Sequence, residues 1–181
     1  MTDAHSDLNR LAFPLPYKYV KQAPGGGGAD YVSHDVITQR LLAVVGPFDF
    51  ELVQVIRGYV PAAKVKGDER PPLDNAVVGA VCRLRVTIDG RITTIEEVGD
   101  VGNPQNWSQD GARLKDAMSD AIKRCAMRIG LGLFLWSGDE YFLFNTLAKG
   151  DDERSHDPDP GRDSETRPGS PRNGGHESDA Q

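Results

Sequence analysis

The sequence predicts an α+β fold: a short N-terminal helix, an antiparallel β-meander with a central hairpin, one long helix packed on the sheet, and a disordered acidic C-terminal tail. Three observations carry this. Apolar residues alternate with period two on both sides of Asp89-Gly90, the signature of a hairpin with a tight turn. From Asp110 onward the apolar spacing lengthens to that of a helix. After Gly150 apolar residues all but disappear in favour of Asp, Ser, Pro, Gly and Arg, and such a segment cannot offset the entropy of ordering itself. Strands followed by a helix indicate an α+β layer arrangement. The chain therefore divides into a folded domain, residues 1–149, and a tail, residues 150–181.

Residues 1–16 show no periodicity, and Leu11–Pro16 (LAFPLP) reads as an extended docking arm. YKYVK is strand-like, and PGGGGAD after it is a flexible loop. That loop does not join a strand to a helix bearing a lysine, so it is no phosphate cradle. A helix is expected at about Ser33–Val45. Ser33 or Asp35 caps its start, Gly46-Pro47 stops it, and Val36, Ile37, Leu41, Val44 and Val45 form its apolar stripe. FDFELVQVIRGYV alternates as a strand from Phe48, and the polar, proline-containing residues 61–75 read as a loop. Strands then run from Val77 to Ile88 and from Arg91 to Gly99. The two-residue turn between them sets Ile88 opposite Arg91, Val86 opposite Thr93 and Leu84 opposite Ile95. Arg85–Thr94 and Arg83–Glu96 fall on the other face, the latter spaced for a cross-strand ion pair.

After the loop VGNPQNWSQ, the stretch Asp110–Trp136 reads as one amphipathic helix, in which Gly130 and Gly132 permit close packing or end the helix. At about 100° per residue, Leu114, Met118, Ala121, Ile122, Cys125 and Ile129 share one side. Arg113, Lys123, Arg124 and Arg128 share the other, with Asp116 and Asp120 among them. A cationic stripe on a rigid helix suits a phosphate backbone. DEYFLFNTLAK closes the domain as a shorter element.

Composition narrows the class. The 181 residues suit one domain. No apolar run approaches the roughly 18 residues needed to span a bilayer, and MTDAHSDLNR lacks the apolar core of a secretory signal. No membrane association and a cytoplasmic location are expected. Cys82 and Cys125 have no neighbouring Cys or His at ligand spacing and read as buried thiols, so no metal or other cofactor is expected. The net charge of -6 argues against a nucleic-acid binder until its distribution is considered. The tail holds nine acids and four arginines, which leaves 17 basic and 18 acidic residues before it. Screening limits each charge to a reach of about 8 Å at physiological salt, so a near-neutral domain can still present a basic groove.

Four segments in order resemble a known family. LAFPLP, YVSHDVITQRLLAVVGPFDFEL, VGAVCRLRVTIDGRITTIEEVGDVG and DAMSDAIKRCAMRIGLGLFLW are similar to an apolar arm, a first helix leading into a strand, a central hairpin, and a Lys-Arg helix followed by Gly. In that order and combination the chain resembles the single-strand annealing superfamily of the recombination mediator Rad fifty-two, in its phage and bacterial (Sak-type) branch. The resemblance covers about Leu11 to Leu147. It implies a protein that is not an enzyme and that forms rings or arcs of roughly ten or more protomers. It further implies a single-stranded DNA groove in which complementary strands are paired without ATP, in recombination and repair. Lys123 and Arg124 match the pair that grips the backbone. The next family arginine falls at Met127 in an ungapped match, and this chain has Arg128, a turn of about 100° around the helix. Arg40 is the counterpart of a basic residue near the first helix, and Phe50 of an aromatic after it.

Physical reasoning leads the same way. Annealing needs phosphates held and base edges left open, which cations along a rail provide. Beside Lys123, Arg124 and Arg128, the candidates are Arg83 and Arg85 on the hairpin, Arg40, and Lys64 with Lys66 as a second patch for the annealed duplex. Trp107 and Trp136 read as packing residues, and the tail as a site for a single-strand-binding or exonuclease partner. Two alternatives come from other classes. One is a metal-dependent nuclease built on Glu96, Glu97 and Asp100; against it, adjacent strand residues point to opposite faces. The other is a ring-forming scaffold without DNA activity.

Overall fold

The structure, a computed structural model, describes residues 6–22, 30–147 and 149. The expected tail and the glycine run of residues 25–28 lie outside the described residues. Among the described residues the elements run in the order α1 (Asp7–Ala12), β1 (Val20–Gln22), β2 (Asp30–Val32), α2 (His34–Val45), β3 (Asp49–Val60), β4 (Ala63–Val65), β5 (Asp68–Arg70), β6 (Leu73–Ile88), β7 (Arg91–Asp100), α3 (Asp110–Arg128) and α4 (Phe134–Ser137). The main sheet is antiparallel with order β3-β6-β7, and β1-β2 and β4-β5 form separate two-stranded ribbons.

The Asp89-Gly90 turn sets the β6–β7 register as the sequence predicts, from Ile88↔Arg91 through Leu84↔Ile95 to Arg83↔Glu96. Both turn residues have positive φ, 49° and 75°, the geometry that matches strand twist. Leu84, Val86 and Ile88 point inward and are buried, while Arg83, Arg85 and Thr87 alternate onto an open face. β3 continues the sheet, but register shifts between Leu52 and Gln54, and twice more further on, break its simple alternation.

α3 lies across the inner face. Ala117, Ala121 and Cys125 are buried beneath it with Val77, Ala80 and Cys82 of β6. The contact is close because β7 has Gly99 at the crossing, where a Cβ would stand 2.0 Å from the Ala117 carbonyl oxygen. A larger core joins Ile37 and Leu41 of α2 to Leu84 and Val86 of β6, Ile122 and Ile129 near the end of α3, and Leu11 of the arm. Val36, Val44 and Val45 pack at its edge.

Several expectations are corrected. The helix expected to run from Asp110 to Trp136 stops at Arg128. Gly130 adopts φ 89°, its N–H donates to Met127 (3.0 Å), and Leu131 N–H reaches back to Ala126 (3.0 Å). This is a Schellman cap, which glycine permits and which periodicity alone does not reveal. The loop expected at residues 61–75 contains the β4–β5 hairpin. Its turn, Lys66-Gly67, has positive φ at both positions, so the polar composition hides a regular turn. The arm is not extended throughout: Ser6 Oγ accepts the Asn9 N–H at 3.2 Å and caps α1. YKYVK is split between a 3-10 turn, Tyr17–Tyr19, and β1. Arg113, expected on the polar side of α3, is only 4% exposed. Its guanidinium donates to the carbonyls of Pro104 (3.0 Å) and Trp107 and pairs with Asp110 (3.0 Å), so it is a fastener for the loop before α3. Asp110 in turn accepts the Val77 N–H (3.2 Å) and an Arg57 N–H (2.8 Å), which holds its carboxyl below the ordinary value.

Candidate nucleic-acid interface

The helical period of α3 that buries Ala121, Ile122 and Cys125 turns Lys123, Arg124 and Met127 outward. These three line a cleft with Tyr31 of β2, Ile37 of α2, Leu131, and Leu135 and Trp136 of α4. The cleft is small, with a volume of about 80 Å³, and opens to solvent. Its floor is apolar, its charged lining consists of Lys123 and Arg124 together with Asp30 and Asp120, and Trp136 is 71% exposed. Flat rings beside cations are the elements from which single-strand sites are assembled. Lys21 lies directly across the β1–β2 ribbon from Tyr31 and is exposed.

The cations are not bare. Asp120, one turn earlier on α3, takes the Lys123 Nζ on Oδ1 at 3.3 Å and the Arg124 Nε on Oδ2 at 2.7 Å. The same Oδ2 accepts the Asp100 N–H at 3.3 Å, tying the end of β7 to the helix. Arg124 Nη2 also stands 3.5 Å from the Asp100 carboxylate. Arg128 bonds Glu97, the inward-facing glutamate of β7. Burial pushes the Asp120 carboxyl up, but the Arg124 bond, the Asp100 N–H and the Lys123 charge together carry it below the usual carboxylate value. Arg124 is held above its ordinary value, chiefly by its bond to Asp120. Both partners are therefore charged at neutral pH.

The other expected residues lie on other surfaces. Arg83 and Arg85 occupy the open face of the sheet, on the side away from α3. Arg83 is clamped by Glu96 at 2.7 Å and Glu51 at 3.2 Å, as the hairpin register anticipates for Glu96. Arg85 sits between Asp49 and Thr94 in the ladder. Arg40 turns toward the arm, donating to the Phe13 carbonyl at 3.4 Å with its guanidinium 6.0 Å from the Phe13 ring centre. Burial, and then the nearby Arg10, lower its pKa. Lys64 stands opposite Glu69 on β4, and Lys66 occupies the tip of that hairpin. Glu96 and Glu97 point to opposite faces and bond Arg83 and Arg128 respectively. Among the described residues no group of three acidic, histidine or cysteine side chains is placed to hold a metal.

The sequence reading passed over Tyr31 in the cleft lining and Lys21 opposite it on β1. Both escape because their place depends on β1 and β2 folding together. The visible signal was two short strand-like runs flanking glycines, which is also how a hairpin is written. The acids were visible too, since Asp120 stands three and four residues before Lys123 and Arg124, the spacing of helical ion pairs.

A family model described as "Rad52/22 family double-strand break repair protein" matches residues 5–154. The chain belongs to the Rad52/22 family. The match runs from the arm through α4 and includes every element that builds the cleft. A role in recombination and DNA repair follows from that membership. Rad52-family proteins are generally annealing proteins rather than enzymes and are associated with DNA. The comparison with curated proteins finds no match. No helix among the described residues is long and apolar enough to cross a membrane.

Proposed function

We propose that this Rad52/22-family protein binds single-stranded DNA through the α3 cleft and anneals complementary strands without ATP, as an oligomeric ring. The observation that carries the reading is the placement of Lys123 and Arg124 side by side on the rim of a cleft with an apolar floor and aromatic walls. Cations at a rim hold phosphates and leave base edges open to a second strand. Tyr31 and Lys21 extend this surface onto the β1–β2 ribbon, and Arg128 extends it along α3. Lys64 and Lys66, at the far end of the sheet, are the candidates for contact with annealed duplex. Arg83, Arg85 and Arg40 lie on other faces, away from the cleft, and have the weaker claim.

Assembly has a physical motive. β3 and β7 are the two edges of the main sheet, and unpaired edges invite pairing with another copy. A head-to-tail contact of one edge with the other, repeated until it closes, gives a ring. Many weak sites on one strand then act together through effective concentration. The domain boundary belongs to the same reading: residues 1–149 bind, anneal and assemble, and residues 150–181 recruit a single-strand-binding or exonuclease partner.

The decisive experiment compares annealing of complementary oligonucleotides by the parent and by Lys123→Ala/Arg124→Ala. Circular dichroism and light scattering verify fold and assembly. At least a tenfold slower annealing is expected, with a salt slope of single-strand binding shallower by about 2. A properly folded, properly assembled variant that anneals like the parent removes the reading. Cleavage of DNA that is abolished by a chelator would instead favour a nuclease.

A further inference from the structure

We propose that Asp120 is the positioning and release residue of the cleft: it presents the Lys123 ammonium and the Arg124 guanidinium to a phosphate and takes them back as the phosphate leaves. This rests on the reading of the cleft as a phosphate-binding site.

Three features separate Asp120 from an ordinary surface acid. Both its oxygens are engaged, Oδ1 with Lys123 at 3.3 Å and Oδ2 with Arg124 at 2.7 Å. The Asp100 N–H, 3.3 Å away, fixes the carboxylate from the sheet side, so it does not swing out to water. Finally, the spacing to its partners is that of a helical turn and stays constant while α3 is intact. A phosphate arriving at the rim therefore competes with a carboxylate that cannot move aside. It exchanges partners with that carboxylate and does not capture free cations.

The consequence concerns strand retention. Between unit charges 4 Å apart the interaction in water is about 1 kcal/mol, equivalent to roughly fivefold in affinity. Asp120 should weaken each phosphate contact by about that factor. It should also speed release, because the departing phosphate leaves behind an ion pair and not a naked charge. A protein that pairs strands needs both properties, since a strand held too firmly is not handed to its complement. One turn further along α3, Arg128 pairs with a carboxylate of the sheet, Glu97 of β7.

The test uses full-length Asp120→Asn, which keeps size and shape and removes the charge. Binding of a thymidine homopolymer is followed by fluorescence anisotropy over a salt series, and annealing by strand pairing at saturating protein. Binding should become about fivefold tighter with a steeper salt slope, while annealing becomes slower. A role confined to stability would weaken both together, so the opposite movement of the two readouts is the signature. Unchanged or weaker binding by folded Asp120→Asn overturns the proposal. If that variant does not fold, Asp120→Ser carries the test, with the same directions expected; binding no tighter there also overturns it. Lys123→Ala/Arg124→Ala, measured alongside, separates the two levels. If it binds the homopolymer like the parent, the cleft reading fails, whatever Asp120→Asn does.

Discussion

On the open face of the sheet Arg83 lies between Glu51 of β3 and Glu96 of β7, whereas on the helical side Lys123 and Arg124 share Asp120 at the rim of a cleft. Both regions pair cations with carboxylates, yet their geometry differs. The sheet pairs run straight across a ladder, one residue per strand. The pairs on α3 stand beside a small hollow lined by Ile37, Leu131 and Leu135. Similar ion pairs thus have different surroundings, an open ladder on one side and an apolar hollow on the other.

The comparison breaks most readily at α3. Removing both rim cations should have the largest functional effect, as set out above. Next comes Gly99→Ala, which probes the seating of the helix. Its Cβ would meet the Ala117 carbonyl oxygen at 2.0 Å and the Ala121 nitrogen at 2.5 Å, both backbone. A loss of about 3 kcal/mol in urea unfolding is expected, and single-strand binding should fall with it. An undiminished midpoint would mean that α3 is not held against β7 at this point.

A smaller effect sharpens the contrast. Arg83→Ala removes the centre of the sheet ladder and should lower the thermal midpoint slightly while leaving single-strand affinity within about twofold. Affinity lost as severely as in the α3 double variant would erase the distinction between the faces. A pH series tests the Asp120 linkage. Its carboxyl is depressed, so its contribution is full above the unfolded value of 3.8 and is lost as pH falls through the folded one. Thermal midpoints should carry no Asp120 contribution to their slope above about pH 5 and should fall below about pH 4. Asp120→Asn should flatten that acid limb, and an identical limb in both proteins would deny the linkage. The smallest change is expected from deleting residues 150–181, after which annealing by residues 1–149 should persist; its abolition would show that the tail is more than an accessory.

Most of the architecture was legible because local signals agreed with one another. Asp89-Gly90 fixed a register that runs correctly to Arg83 and Glu96. Gly46-Pro47 ended α2 where it ends. What was hidden had a tertiary cause. Arg113 looks solvent-facing on a helical wheel, and only the carbonyls of Pro104 and Trp107 explain its burial. The stop after Arg128 comes from Gly130, a residue already marked as able to end the helix, but its exact place depends on the Schellman bonds that periodicity does not show. At the site, Lys123 and Arg124 were legible from their helix and their family resemblance. The cleft they border was not, because Tyr31 and Trp136 reach it from segments far apart in sequence. Arg83, Arg85 and Arg40 lie on faces away from the cleft, and Lys64 and Lys66 lie apart from it on the β4–β5 hairpin, as a second patch would.

The arm and the end of the described chain meet over the Schellman turn of Gly130. Tyr141 Oη bonds the Ala12 carbonyl, and the Phe13 and Phe144 rings stack edge to face at 4.8 Å. The bond spans 129 positions of sequence, and closing so long a loop has an entropic cost that nearer contacts do not bear. This clasp should form last during refolding and open first on warming. Amide protons around Phe13 are then expected to exchange with solvent while those of β6 remain protected.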